Sequence, residues 1–434
     1  VKDGPVTTRE VLTLAVPASL GMLLQHAFRP LDQFFAQYIS ADAQAALGAS
    51  TFVVIVVFGA FVTVSGGVGP LVGRATGADD RLLRNRAIGT GLTLACGLAV
   101  VVALGALTLS WTIPIILGLS GAEAALTAEY LWWLGLTGAA IAVQPCVEAA
   151  FNAMGFTRRS MALQGLAVAL NGGFTGTFVL VFGWGIAGAA IGTTLAQCIV
   201  TVLGVAWLWR TTGGFDVGVH PETVRRIVKL GLPVGLSVFT YAFVYWVLIR
   251  TSVAPLGQMK GLAVGFSALE SISWPLFAGW SIAVSSLVAR RLGAGQVQQA
   301  KRAIALAFPW SLGAGIAVAA VFMFGGPWLV DSFSADLTVR SQALVYAGVL
   351  AWSQPFVALE SLFEGVLLGS GDTRRLAWVT IPLNAARVPL AWTLAVFLGF
   401  GAVGIWWAIN ITTLAKSVGK GLLVFGGRWA DVDV

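Results

Sequence analysis

The sequence predicts an all-α integral membrane protein with twelve transmembrane helices. They form two six-helix lobes, related by a pseudo-two-fold axis along the membrane normal. Three observations carry this. Hydrophobic residues make up 57% of the chain and charged residues only 10%, against about 25% charged in soluble domains. The apolar residues gather in twelve long runs. The second half of the chain repeats the first in one register.

The runs lie near 10–39, 44–73, 87–118, 127–153, 160–182 and 186–209, then 224–252, 260–289, 303–330, 340–368, 376–398 and 402–425. A helical span needs roughly 20 apolar residues and a barrel strand only about 9–11, so each run reads as a helix. The 53 glycines are scattered through the runs, which suits helices packed closely in lipid. The first run is too long, and too polar in its outer half, for a cleavable signal peptide. A polar linker, 211–222, separates an amino-terminal lobe (1–210) from a carboxy-terminal lobe (223–434).

Basic residues fall at every second connection. They are Arg74, Arg81, Arg84 and Arg86; Arg158 and Arg159; Arg210, Arg225, Arg226 and Lys229; Arg290, Arg291, Lys301 and Arg302; Arg374 and Arg375. Lys2, Arg9, Lys416, Lys420 and Arg428 join them at the chain ends, and only Arg250, Lys260 and Arg340 fall on the other side. Basic loops face the cytoplasm. Both termini are therefore expected there, in a multi-pass protein of the cytoplasmic (inner) membrane. The same asymmetry accounts for the net charge of +7, so no nucleic-acid partner is implied. Arg74 and Arg290, beside glycines, read as loop anchors.

Cys96, Cys146 and Cys198 sit in apolar runs without metal-ligand spacing, and His26 and His220 are the only histidines. No metal centre, cofactor site or catalytic dyad is expected, and the chain does not read as an enzyme.

A shift of 216 residues superposes the halves. Leu14 and Pro17 fall on Leu230 and Pro233, and 71–78 falls on 287–294. Arg86-Ala-Ile88 falls on Arg302-Ala-Ile304, Glu148 on Glu364, and 155–159 on 371–375. Gly183, Gly185 and Gly188 fall on Gly399, Gly401 and Gly404. Six helices per unit is an even number, so both halves enter from the same side. Two such lobes suit a transporter that works by alternating access.

The first run holds an anomaly. At 100° per residue, Gln25, His26, Arg29, Asp32 and Gln33 fall within roughly 120° of one face. A charge at mid-bilayer costs roughly 3 kcal/mol on insertion scales. Pro30 has no N–H for the His26 carbonyl, so the helix is expected to bend or open there. In the register, Asp32 falls on Leu248, Arg29 on Tyr245 and Pro30 on Trp246. These polar residues thus belong to one lobe alone. Arg29, one turn from Asp32, reads as either a switching partner or a fixed lock. His26 reads as a proton relay or a packing residue, and Gln25 and Gln33 as cavity-lining residues.

Glu270, Glu360 and Arg387 form a charged set in the carboxy-terminal lobe. Glu360 is expected to pair with Arg387, and Glu270 either with Arg250 or with a cationic ligand. Glu148 and Glu364, two turns from the Arg-Arg pairs, read as braces of an inner gate against basic loops. Phe28, Phe35, Trp274 and Trp280 are candidate aromatic cavity residues.

Leu14-Ala-Val-Pro17 followed by Asp32, the 71–78 motif with its repeat, Gly188-Ala-Ala-Ile-Gly-Thr193 and Gly371-Asp-Thr-Arg374 occur in this order along the chain. Together they resemble the multidrug and toxic compound extrusion (MATE) transporters, prokaryotic type. The resemblance spans nearly the whole chain. It implies a monomeric secondary active antiporter that exports amphipathic, often cationic organic compounds, driven by H⁺ or Na⁺. It also implies a coupling site at Asp32, Asn171, Thr175 and Thr193. Thr175 stands where an Asp or Asn is usual, which favours H⁺ over Na⁺, although Asp32 remains a possible Na⁺ ligand. Arg29 and Pro30 depart from the small or aromatic residues usual there. The alternative within the same fold superfamily is a flippase for lipid-linked oligosaccharides or lipids. That task needs a basic cavity, and Arg29 and Arg387 are outnumbered by Asp32, Glu270 and Glu360.

Overall fold

The computed structural model of the chain describes residues 4–137, 139–333 and 336–432; Lys2, counted above among the basic residues, lies outside them. The first half holds α1 (Thr8–Ala36), α2 (Ala41–Gly77), α3 (Arg81–Leu109), a short α4 (Ile113–Ile116), α5 (Gly121–Thr137), α6 (Ala139–Ala153), α7 (Thr157–Gly176) and α8 (Gly185–Thr212). The second half holds α9 (Pro221–Leu248), α10 (Met259–Gly265), α11 (Ser271–Gly293), α12 (Val297–Ala320), α13 (Gly326–Phe333), α14 (Leu337–Ala351), α15 (Gln354–Ser370), α16 (Thr373–Trp392) and α17 (Gly401–Phe425). The described residues contain no strand.

Nine helices are long and apolar enough to span a membrane, and two bent pairs raise the number to eleven among the described residues. α17, 25 residues long, completes the twelve; Asn410, Lys416 and Lys420 make it less apolar. The bent pairs depart from the straight spans expected at 127–153 and 340–368. Gly121–Leu136 meets Ile141–Ala153 at 56°, and Leu337–Ala351 meets Gln354–Ser370 at 56°. Leu136 and Trp352 correspond in the repeat register, so both halves break the same span at the same place. In the second half, Pro355 occupies the first turn of α15, where its missing N–H costs nothing.

The register extends to the backbone. A π-helical turn at Thr177–Val181 closes α7 and another at Thr393–Phe397 closes α16. Each leads into two glycines with positive φ, Gly183 and Gly185 or Gly399 and Gly401.

Packing divides the chain into two compact units. One is Leu24–Gly235; the other combines Val1–Leu23 with Leu236–Val434. The divisions fall inside α1 and α9, and the linker 211–222 packs within the first unit. There the Asp216 carboxylate lies 2.8 Å from His220 Nε2 and 3.8 Å from Arg86 Nε. In the second unit, Arg291 holds the amino-terminal segment through the Gly4 carbonyl at 3.3 Å and Glu10 at 3.4 Å.

The first unit packs through small residues. Ala36, Ala43, Ala46 and Ala190 form a core with Leu47, Tyr130 and Ile186. Gly192 lets α8 approach α7 closely: a Cβ there would lie 2.6–2.8 Å from atoms of Thr175. That approach brings the polar residues of both helices together.

Candidate functional site

α1, α7 and α8 bring Asp32, Asn171, Thr175 and Thr193 into one buried cluster of the first unit. The Thr193 hydroxyl lies 3.2 Å from Asp32 Oδ1 and 3.4 Å from Oδ2. Asn171 Nδ2 donates to Thr193 Oγ1 at 2.7 Å, and lies 3.4 Å from both Asp32 Oδ1 and Thr175 Oγ1. Asn171 Oδ1 is buried without a partner among the described residues. The cluster therefore offers carboxylate, hydroxyl and amide oxygens, with no charged side chain bonded to Asp32 among the described residues. A buried carboxylate partnered only by neutral groups favours taking up a proton or a cation.

α1 runs unbroken through Pro30 to Ala36, so the expected opening of the helix is absent. Pro30 is exposed, as is Arg29. No ion pair joins Arg29 to Asp32 among the described residues. The guanidinium instead lies in electrostatic range of His26 and Tyr130. Gln25 and His26 are half-buried, and Gln33 Nε2 lies 3.3 Å from the Gln44 carbonyl. Phe28 and Phe35 are buried.

Sequence reasoning missed Tyr130. It is buried in α5 within electrostatic range of Asp32. Its register partner is Tyr346 of α14, also buried, whose hydroxyl donates to Glu270. The register itself was the available signal, because these two tyrosines superpose under the same shift.

The second unit arranges its charges differently from expectation. Glu360 does not pair with Arg387. It lies 3.0 Å from Lys416 and 2.8 Å from Lys420, and Lys420 also reaches Glu364 at 2.6 Å. Lys416 and Lys420, counted above among the cytoplasmic charges at the chain ends, are only 7% and 0% exposed. Two lysines four apart on α17 face two glutamates four apart on α15, a spacing that puts each pair on one helix face. Arg387 donates through Nε to Thr412 at 3.1 Å and lies 3.5 Å from Thr413. It also donates to the Tyr245 hydroxyl, which accepts from Tyr241 as well. Glu270 lies in range of the Arg387 charge. Arg250 instead stacks on Trp246 at 5.1 Å. Trp280 is buried and Trp274 exposed.

Glu148 and Glu364, equivalent in the repeat, have unlike partners. Glu364 takes Lys420. Glu148 takes the side-chain amides of Gln144, at 2.9 Å, and Gln164. Gln144 is the register partner of Glu360 and in turn accepts from Thr201 at 3.1 Å. The expected bracing of Glu148 against basic loops is replaced by an amide cradle.

The MatE family model matches residues 17–176 and 233–393. The two matches begin at Pro17 and Pro233, the pair the repeat superposes. The chain is 25% identical to a probable multidrug resistance protein NorM of Thermotoga maritima, covering 99% of this chain and 94% of that protein. It is 28% identical to one from Bradyrhizobium diazoefficiens, with coverage of 96% and 92%. Among solved structures, it superposes on an outward-facing multidrug resistance MATE family transporter of the MOP superfamily. The TM-score is 0.90 at 19% identity, covering 98% of this chain and 96% of that one. The fold, the repeat and the two matched halves agree: the chain belongs to the MatE family of membrane transporters.

Proposed function

We propose that the chain is a cation-coupled multidrug efflux antiporter, with Asp32 as its coupling site and H⁺ as the favoured ion. The observation that carries this is the burial of Asp32 among Asn171, Thr175 and Thr193, without a cationic partner. An ionised carboxylate there lacks compensating charge, so a proton arriving from outside is held strongly. Neutralising Asp32 changes what α1 must satisfy against α7 and α8, and this bias drives one half of an alternating-access cycle. Return to the inward state releases the proton to the cytoplasm. Thr175 adds a hydroxyl where a second acid or amide would strengthen a Na⁺ site, which is why H⁺ is favoured.

The relatives named multidrug resistance proteins support export of small organic compounds, with amphipathic cations the expected class. The protein is read as a monomer in the cytoplasmic membrane with both termini inside. Imposed pH and Na⁺ gradients, applied separately to vesicles, test the reading. Dye extrusion driven by the pH gradient, and lost in Asp32→Asn, is the expected result. Extrusion that persists in Asp32→Asn overturns the coupling site, and extrusion driven by Na⁺ alone overturns the choice of ion.

A further inference from the structure

The face of α7 that holds Asn171 is polar along its length. Thr157, Ser160, Gln164, Asn171 and Thr175 are all buried, and at 100° per residue they fall within about 60° of one another. Asn171 bonds Asp32, and Gln164 bonds Glu148. The two holders stand seven residues apart, about 10 Å along the helix. α8 runs antiparallel to α7, with Gly192 close to Thr175 and Gly204 close to Leu163. It meets the polar face at both levels. Thr193 accepts from Asn171, and Thr201 donates to Gln144 of the Glu148 cradle.

Oxygens without a partner among the described residues line this face. They are Asn171 Oδ1, Gln197 Oε1 and Gln164 Oε1, then Asn152 Oδ1 and Thr157 Oγ1. Gln197 lies midway between Thr193 and Thr201 on α8, and the matching turn of α7 holds only the small Ala167. Gln164 and Asn171 are 3% and 0% exposed. Buried amide oxygens are rarely left unpaired, and ordered water is the usual partner. The line runs from the Asp32 cluster past Glu148 to Thr157, next to Arg158 at the linker end of the lobe.

Glu148 forms no ion pair among the described residues; Gln144 and Gln164 bond it. The helices packed against α6 are α2, α3, α5, α7 and α8. Their basic residues at the linker end are engaged elsewhere: Arg84 with the Thr212 carbonyl, Arg86 with Asp216, and Arg159 with Thr211. Cys146, on α6 itself, points to the Gly91 carbonyl. The second lobe differs. Lys416 and Lys420 stand where the first lobe has Val200 and Gly204, and they hold Glu360 and Glu364. A carboxylate beside a lysine keeps its charge, whereas one held by amides alone can exchange a proton.

We propose that Glu148 is a proton-relay carboxylate of the first lobe, taking the proton that Asp32 gives up and passing it to the cytoplasm. This rests on the reading of Asp32 as the coupling site. Water along the polar face carries the transfer. The O–H bond at Asp32 breaks and a water accepts its proton, leaving the Asp32 carboxylate. A second water donates a proton to a Glu148 carboxylate oxygen, and Glu148 then returns it to water at the linker end.

The test uses the full-length protein in vesicles with an imposed pH gradient, with melting curves to confirm the fold. Asp32→Asn tests the underlying reading alone, through loss of dye extrusion. Glu148→Gln is expected to slow extrusion severalfold, leave dye binding at the wild-type level, and flatten the dependence of rate on cytoplasmic-side pH. Glu148→Asp, which keeps a carboxylate, is expected to recover much of the rate. Gln197→Leu, which interrupts the line without touching either carboxylate, is expected to slow extrusion as Glu148→Gln does. Potentiometric titration in detergent gives a count independent of Asp32: around neutral pH, Asp32→Asn protein is expected to exchange one proton fewer per chain once Glu148→Gln is added. An unchanged count overturns the proposal, as does a folded Glu148→Gln protein that extrudes at the wild-type rate. A Glu148→Asp protein as slow as Glu148→Gln, with the wild-type pH profile in both, also overturns it, because Glu148 then only braces its neighbours.

Discussion

Lys420 donates to Glu364 at 2.6 Å from a fully buried position, while in the other half the register places Gly204 where Lys420 stands. One lobe therefore locks α15 to α17 with charge. The other leaves Glu148, the counterpart of Glu364, to amides. Removing one partner of a buried ion pair strands the other charge, at a cost of about 3–5 kcal/mol. Lys420→Met should strand Glu364, leave Glu360 to Lys416 alone, and lower the thermal midpoint in detergent. The double variant Lys420→Met/Glu364→Gln should recover part of that loss.

Glu148→Gln replaces a carboxylate among amides with another amide. Its effect on stability should stay within about 1 kcal/mol, since no opposite charge is stranded. Glu360→Gln should cost several times more, because Lys416 and Lys420 both lose their common partner. Parallel melting curves of the two variants decide whether the lobes differ as described. Equal losses would contradict it.

Tyr346→Phe removes the hydroxyl that donates to Glu270. A buried acceptor left unpaired costs about 1–3 kcal/mol. Adding Glu270→Met, which removes the acceptor too, should restore most of the loss. A double-mutant cycle measures the coupling directly.

Gly192→Val tests how the coupling cluster is assembled. Its Cβ would meet the Thr175 backbone nitrogen at 2.7 Å, and backbone cannot step aside as a flexible side chain can. The added bulk should destabilise the protein by about 1–3 kcal/mol or more. It should also reduce drug export beyond what the stability loss explains, because Thr193 and Asn171 would be forced apart. Normal export from a correctly folded Gly192→Val protein would contradict this.

Much of the fold was legible because lipid imposes it. A chain this apolar, cut into helix-length runs and doubled in one register, has few alternatives. The cluster at Asp32 was reached through a family resemblance, and the burial of Asn171 and Thr193 beside it is a matter of geometry. The partners of Glu360 were misread for a physical reason. Lys416 and Lys420 lie near a span's end, where loop and core positions look alike in sequence. Only the matched four-residue spacings on α15 and α17 mark them as inward-facing. The bends near Leu136 and Trp352 escaped because hydropathy averages over a break of a few residues. The exposure of Arg29 could not be read either, since residues one turn apart on a helix need not share a neighbour.

The paired π-helical turns at Thr177–Val181 and Thr393–Phe397 coincide to the residue under the 216-residue shift. A π turn is uncommon in helices, and this one recurs in both halves, whereas the π-helical turns at Ile249–Val253, Phe266–Glu270 and Val321–Gly325 have no counterpart among the described residues of the first half. The shared turn belongs to the backbone that the halves have in common. The charges do not: the register sets Asp32 against Leu248 and Arg387 against Asn171. One backbone is thus used twice, and a handful of side chains tells the copies apart.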